Sequence, residues 1–505
     1  MDILLETLGA LANPMVILLV FVGVMAGLLV GAMPGLTAAM ALAVLLPFTF
    51  TMTPLNGLVM LGAVYMGAIY GGSFAAILVN TPGTPSSIAT AFEGYPMAKS
   101  GRAVEALSVA TVASVIGGLA GVTFLLVLAP PLARLSLKFG SAEYFWVAML
   151  GLTLIASLSS GSLLKGLLGG TMGMFLGTIG VAPIGGETRF TFGVPALQGG
   201  VEMIVALIGL FVVPELLNIA ARAATALKAV SLASQERSNL GRVIKTVLSQ
   251  PVNLIRSCII GEIVAVIPGA GGSISNLVAY NEAKRASKTP DRYGKGCVEG
   301  LVASESSNNV TVAGSMVPLL TLGIPGAPPD AIILGVLMLH GLRPGMELFT
   351  ASGPLTYGFI ISMGLAALAL LPVGFWGGRV IFRIILRTPY YFLVPSIAMI
   401  TLLGTYALRN SLTDVLIMLG LGVLGFTLKQ VGLESPPIVL GLILGGIAEV
   451  GFVQSMLKGA GLAYPIMKLF ESTLSKTIIV LTALSFLSPF FTRWLVRRRG
   501  RKRVE

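Results

Sequence analysis

The feature that most limits this chain is a series of long apolar runs with almost no charge inside them. They lie near 15–33, 37–50, 57–79, 103–129, 144–159, 162–181 and 201–219. A second series lies near 252–280, 310–340, 353–375, 391–408, 412–428, 436–456 and 477–491. A helix needs about 20 apolar residues to cross the hydrocarbon of a bilayer. The spans of a membrane β-barrel would be segments of about ten residues alternating in polarity. These runs are long and unbroken, so the spans are helices. Runs too short for a crossing read as half-helices or re-entrant hairpins, which leaves about 12 true spans. The expected fold class is an all-α polytopic membrane protein with broken or re-entrant helices and two repeats, read as inverted in the membrane.

Composition excludes the soluble alternative. Only 11% of the 505 residues are charged and 55% are hydrophobic, whereas a soluble domain carries about 25% charged residues. With a mean hydropathy of +0.92, the excess apolar surface must face lipid. The 63 glycines and 28 prolines suit helices that approach closely and break where backbone must meet a ligand. The glycines follow no period, which excludes a collagen-like chain. The net charge of +12 gathers at membrane edges, as the positive-inside rule expects, and not in a nucleic-acid surface. Two cysteines, Cys258 and Cys297, make no disulfide framework. The first residues, Met1 to Glu6, lack a basic region ahead of the first apolar run, so that run is expected to be a retained span.

Charge also divides the chain. Residues 1–219 form the first membrane segment and 220–250 a basic linker carrying Arg222, Lys228, Arg237, Arg242 and Lys245. Residues 251–492 form the second membrane segment, and 493–505 a tail with Arg497, Arg498, Arg499, Arg501 and Lys502. Both basic stretches are expected on the cytoplasmic side, the tail against anionic headgroups.

The two halves echo each other. Ala32-Met33-Pro34-Gly35 matches Val266-Ile267-Pro268-Gly269, and Asn80-Thr81-Pro82-Gly83-Thr84-Pro85 runs in step with Gly323-Ile324-Pro325-Gly326-Ala327-Pro328. Gly94-Tyr95-Pro96 matches Gly341-Leu342-Arg343-Pro344 with one insertion, and Gly170, Gly173 and Gly180 keep the spacing of Gly422, Gly425 and Gly432. Four matches in one order indicate duplication, and transporters commonly carry such repeats. Charge placement favours inversion: 48–56 has no charge, while its counterpart holds Lys284, Arg285, Lys288, Arg292 and Lys295. The loops around Arg134 and Lys138, and around Arg379, Arg383 and Arg387, are basic in both halves.

The repeat-related Pro-Gly loops are where chemistry is expected. Proline removes a backbone donor and blocks the preceding turn, and the freed groups cannot face lipid. Such breaks offer helix N-termini to anions and carbonyls to hard cations. The candidate substrate-binding residues are therefore Asn80, Thr81, Gly83, Thr84 and Ser86 in the first loop, and Gly323 and Gly326 in the second. To these the Gly-rich break adds Gly269, Gly271, Gly272 and Ser273; it lacks both the G-x-G-x-x-G spacing and a preceding strand of a dinucleotide site. Candidate cation ligands are Pro34, Gly35, Ser306, Asn308, Asn309 and Thr321. Glu305-Ser306-Ser307-Asn308-Asn309 precedes the apolar run from Val310. It reads either as neutral oxygens for sodium and donors for a carboxylate or as an interfacial helix cap. A local Glu187–Arg189 pair is expected, and His340, the single histidine, is read as interfacial or packed. No phosphate loop, no H-E-x-x-H motif and no Ser-His-Asp set independent of His340 is present.

Gly31-Ala32-Met33-Pro34-Gly35-Leu36 with Leu46-Pro47, Tyr70-Gly71-Gly72-Ser73 and Asn80-Thr81-Pro82-Gly83 resembles the TctA family. So do Ile267-Pro268-Gly269-Ala270-Gly271 with Tyr280, Gly294-Lys295-Gly296, Glu305 to Asn309, and Leu322 to Gly326. That family is the large permease subunit of bacterial tripartite tricarboxylate transporters. The resemblance implies a small membrane subunit of about four spans and a periplasmic solute-binding protein as partners. It further implies an inner-membrane location, a carboxylate substrate such as citrate, and uptake driven by an ion gradient, usually sodium. No cofactor is implied beyond a bound sodium ion. The candidate loops hold no Arg, so anion recognition would rest on dipoles, amides and hydroxyls, with bound sodium adding charge. An uncoupled uniporter or channel would have the same composition; an intramembrane enzyme would need clustered Asp, Glu or His, which this chain scatters.

Overall fold

The computed structural model describes residues 2–33, 35–158, 162–222, 239–267, 271–378, 380, 390–461 and 463–501. The helices in order are α1 Asp2–Leu11, α2 Pro14–Gly31, α3 Ala38–Thr49, α4 Pro54–Val79, α5 Ile88–Lys99, α6 Ala103–Ser136, α7 Ser141–Leu158, α8 Leu163–Gly177, α9 Met203–Phe211 and α10 Val213–Arg222. There follow α11 Leu240–Leu248, α12 Pro251–Val266, α13 Gly271–Ala286, α14 Val298–Gly314, α15 Met316–Leu322, α16 Pro328–Leu339, α17 Met346–Thr350 and α18 Gly353–Pro372. The last are α19 Tyr390–Arg409, α20 Leu412–Gln430, α21 Ser435–Lys458 and α22 Thr473–Arg501. The strands described are Gly180–Val181 and Thr188–Arg189, an antiparallel pair. The expectation of a helical membrane protein therefore holds.

Seven helical stretches of the described residues, one of them α9 and α10 taken together, are long and apolar enough to cross a membrane, or eight if the α11–α12 pair, bent by 75°, is one broken span. The count of about 12 expected from apolar runs includes shorter helices. α3 and α16, of 12 residues each, reach about 18 Å at 1.5 Å per residue, against a hydrocarbon core of about 30 Å.

Local chemistry sets the ends of these helices. Asn13 caps α2 by accepting the Met15 N–H at 2.9 Å, with Pro14 in the first turn where no donor is needed. Thr37 restarts the chain as α3 by accepting the Met40 N–H at 3.2 Å, and Thr53 with Pro54 opens α4 in the same way. α4 ends at Asn80, whose φ of 54° is left-handed; α15 ends at Gly323 with φ of 71°.

Two compact units emerge. The first comprises 1–134 and 211–411, the second 135–210 and 412–505. Each draws on residues from both sides of the basic stretch 220–250, of which 223–238 lie outside the described residues. The tail side chains 493–505 lie outside them too.

In the first unit α4 is buried along almost its whole length. It packs on α2, and α14 packs on α12. Small residues make these contacts close: a Cβ on Gly31 would lie 2.1 Å from the Ala68 carbonyl oxygen, and one on Gly261 2.7 Å from that of Ser307. Pairings recur between the halves, α3 on α4 and α13 on α14, then α3 on α16 and α13 on α5. In the second unit α21 packs against α7 and α8, and Gly441 sits against the Gly170 carbonyl. The expected local pair with Glu187 is not the one formed: the Arg189 guanidinium donates to Glu449 at 2.7 Å, because the strand pair carries it to α21. That hydrogen bond, with Glu187 adding charge, holds the guanidinium above its ordinary range.

Candidate functional site

Glu305 to Asn309 do not cap a helix. They lie in the interior of α14, which begins at Val298, and Glu305, Ser306, Ser307, Asn308 and Asn309 are all fully buried. Glu305 accepts hydroxyl hydrogen bonds from three other helices: Ser73 of α4 at 2.7 and 2.8 Å, Ser114 of α6 at 2.9 Å, and Thr90 of α5. No Lys or Arg pairs with it among the described residues. A fully buried carboxyl group held by three hydroxyl donors therefore sits where α4, α5, α6 and α14 meet.

Asn308 and Asn309 stand three and four residues on, on the same side of the helix. Both amide heavy atoms of Asn308 and the carbonyl oxygen of Asn309 have no hydrogen-bond partner. Orphaned buried amides are rare, since each costs about 1–3 kcal/mol, and such groups mark a place that a ligand or water completes. Ser306 and Thr321 spend their hydroxyl protons on their own helices, on Val302 at 2.8 Å and Val317 at 2.6 Å. Their oxygens remain as acceptors.

The first Pro-Gly loop joins this region. Gly83 N–H bonds to the Gly72 carbonyl at 3.3 Å, and the Thr84 and Ser86 hydroxyls lie 3.0 Å apart. Asn276 of α13 donates to the Ser86 carbonyl, its own carbonyl oxygen is orphaned, and Ser275 donates to the Ser307 carbonyl at 3.2 Å. Thr84 and Ser86, the first turns of α13 and the polar stretch of α14 are thus brought together. Asn80 and Thr81, at the outer end of the same loop, are exposed. Gly271 and Gly272 open α13; the Ser273 side chain, Gly269 and Pro34 lie outside the described residues. Gly35, with φ of 94°, is exposed.

The second loop, with Gly323 and Gly326, lies at the C-terminal end of α14, against Ser315 and the Ala265 carbonyl of α12. It is buried, and Asp330 fixes it by accepting the Ala327 N–H at 2.6 Å and the Ser315 hydroxyl at 3.0 Å. Ser307 and Gly314 mark the two loops along α14, about 10 Å apart at 1.5 Å per residue.

One group escaped the sequence reading. Glu93 of α5 is fully buried and accepts the Tyr280 hydroxyl at 2.7 Å and the N–H groups of Gly294, Gly296 and Cys297 at 2.6, 2.9 and 2.7 Å. Gly294 and Gly296 have φ of 82° and 90°, which lets successive N–H groups converge in an anion-holding nest. Tyr280 and Gly294-Lys295-Gly296 therefore form one latch that ties α5 to α13 and α14. Burial pushes the Cys297 thiol beside it upward, away from thiolate chemistry.

Residues 17–440 match the tripartite tricarboxylate transporter TctA family. The chain is 38% identical over 464 residues to an uncharacterised 52.8 kDa protein in the TAR-I ttuC' 3' region of Agrobacterium vitis, covering 89% of this chain and 88% of that one. It is 35% identical over 206 residues to an uncharacterised protein in the TAR-II ttuC' 3' region of the same organism, covering 40% of this chain and 83% of that one. No solved structure matches.

Proposed function

Because the chain belongs to the tripartite tricarboxylate transporter TctA family, a transporter family and not an enzyme family, we propose that it is the large permease subunit of a binding-protein-dependent secondary transporter. In this reading it takes up di- or tricarboxylates of the citrate kind across the bacterial inner membrane, with its C-terminus in the cytoplasm. A small four-helix membrane subunit and a periplasmic solute-binding protein are its partners. A sodium gradient drives uptake.

One observation carries the reading: the buried Glu305 carboxylate beside the orphaned amides of Asn308 and Asn309. This donor set consists of oxygens, with no thiolate or imidazole in the Glu305–Asn309 run, which suits a hard cation. Bound sodium would meet the Asn308 and Asn309 carbonyl oxygens on α14, one turn from the Glu305 carboxyl oxygens. The amide donor of Asn308, the Thr84 and Ser86 hydroxyls and the start of α13 are then available to a substrate carboxylate. Binding the cation first lowers the cost of bringing an anion to a site with no fixed positive side chain. The remaining assigned groups, Asn80, Thr81, Gly83, Gly269, Gly271, Gly272, Ser273, Gly323 and Gly326 for substrate and Pro34, Gly35, Ser306 and Thr321 for the cation, belong to the same proposal. The recurring helix pairings support treating the halves as a repeat whose broken helices move together against a scaffold.

The test is uptake of labelled citrate and a dicarboxylate panel into proteoliposomes containing this chain, its small membrane partner and loaded binding protein. Sodium-gradient-dependent uptake is expected, with half-saturation by sodium raised about tenfold or more in Asn308→Ala. Equal uptake with and without the gradient would remove ion coupling. An unchanged sodium response in both Asn308→Ala and Asn309→Ala would sink the site.

A further inference from the structure

The buried carboxylates of the first unit are not alike. Glu305 accepts three hydroxyls, Glu93 three N–H groups and a phenol, and Asp330 an N–H and a hydroxyl. Glu262 on α12 is only 4% exposed, and neither of its oxygens has a hydrogen-bond partner. An ionised carboxylate in that position forfeits its hydration and gains nothing in return, which inside a membrane protein costs several kcal/mol. A protonated carboxyl avoids that cost.

Among the described residues the surroundings leave no other source of compensation. α11, α13, α14 and α15 pack on α12. Cys258, one turn back on α12, is the nearest titratable residue on the same helix, and it is buried. α14 beyond Glu305 and all of α15 carry no titratable residue. On α13 such residues begin at Tyr280, which is engaged by Glu93, and continue with Glu282 and Arg285, which pair with each other, and Lys284. Arg242 and Lys245 of α11 are exposed, and Arg256 of α12 donates to Asn253 at 2.9 Å. Asp330 lies beyond Ser315 with its own donors, and Tyr65 of α4 faces Asp330. No group of three or more His, Cys, Asp or Glu gathers here or elsewhere among the described residues, so Glu262 is a lone acid and not a corner of a metal site.

Its position matters as much as its isolation. A Cβ on Gly314 would lie 2.5 Å from Glu262 Oε2, and the next residue, Ser315, holds Asp330. A Cβ on Gly326 would lie 3.1 Å from the carbonyl of Ala265, which stands three residues after Glu262. The acid is therefore wedged at the contact between α12 and the junction that fixes the second Pro-Gly loop.

We propose that Glu262 is a proton-binding site of the transport cycle: its carboxyl holds a proton while packed against α14, and releases it to water as a carboxylate when that contact opens. The cycle rests on the transporter reading; the bound proton does not. The proton is read directly by infrared spectroscopy of the full chain reconstituted in lipid at neutral pH. A protonated-carboxyl band present in the wild type and absent in Glu262→Gln is expected, and an identical band in both overturns the proposal. If Glu262→Gln does not fold, Glu262→Asp keeps the carboxyl and must shift the band; an unmoved band overturns it. Loss of the wild-type band on adding sodium would place a cation there and likewise overturn it. In proteoliposomes with both partners, an acid-outside gradient should speed labelled citrate uptake several-fold in the wild type and not in Glu262→Gln. Equal acceleration in the two chains overturns the coupling. No uptake by either chain under any gradient counts against the transporter reading, and the infrared band still decides the proton.

Discussion

The two Pro-Gly loops share a backbone plan and differ in how it is held. Each follows a helix that ends in a left-handed residue, Asn80 in one and Gly323 in the other, and each runs through Pro-Gly into a proline-started turn. The first keeps its outer end, Asn80 and Thr81, exposed and ties its inner end with hydroxyls and a neighbour's amide. The second is buried throughout its Pro-Gly turn and relies on one carboxylate, Asp330, for two donors. Distributed neutral bonds can be exchanged singly for bonds to a ligand, whereas a loop fixed by one acid is held or released as a whole. On the proposed transport reading, the first loop is the one that would contact substrate, and the second the one that would follow the state of α12 and α14.

The largest effect should come from removing that acid. Asp330→Ala leaves a buried hydroxyl and a buried N–H without an acceptor, a loss of about 3 kcal/mol. Asp330→Asn, which keeps one acceptor oxygen, should lose about half as much. Thermal melting of the purified chain in detergent measures both, and equal small shifts would break the contrast between the loops. Next come the glycines at the same motif position. A Cβ on Gly83 would lie 2.1 Å from the Gly31 carbonyl oxygen, and one on Gly326 2.9 Å from Ser315 Cβ. Gly83→Ala should therefore cost about 3 kcal/mol and Gly326→Ala about 1 kcal/mol, in the range found for overpacked sites. The reverse order would show that the second loop is the tighter one.

Much of this plan was legible in the chain. The paired Pro-Gly breaks act within a few residues, so sequence reveals them. The partners of Glu305 were not legible, because Ser73, Ser114 and Thr90 lie 191 to 232 residues away. Its helix was misjudged for a related reason: α14 is buried on every side, so its polar first half shows no amphipathic period, and only the apolar run from Val310 stood out. Glu93 gave no signal at all, since its donors come from a glycine loop 201 to 204 residues on.

The smallest predicted effect separates backbone from side chain at Asn80. A non-glycine residue in the left-handed region costs about 1–2 kcal/mol, less for asparagine and nothing for glycine. Asn80→Gly should therefore melt within about 0.5 kcal/mol of the wild type, while Asn80→Ala is strained by about 1 kcal/mol. At the partner position Gly323→Asn should be tolerated and Gly323→Ala should not. With folding held constant in Asn80→Gly, uptake becomes a clean reading of the amide. Reduced uptake would give the exposed end of the first loop a direct part in binding substrate. Uptake equal to the wild type would confine the substrate contacts to Thr84, Ser86 and the α14 amides, and would leave Asn80 with the same task as Gly323: ending a helix where the chain must turn.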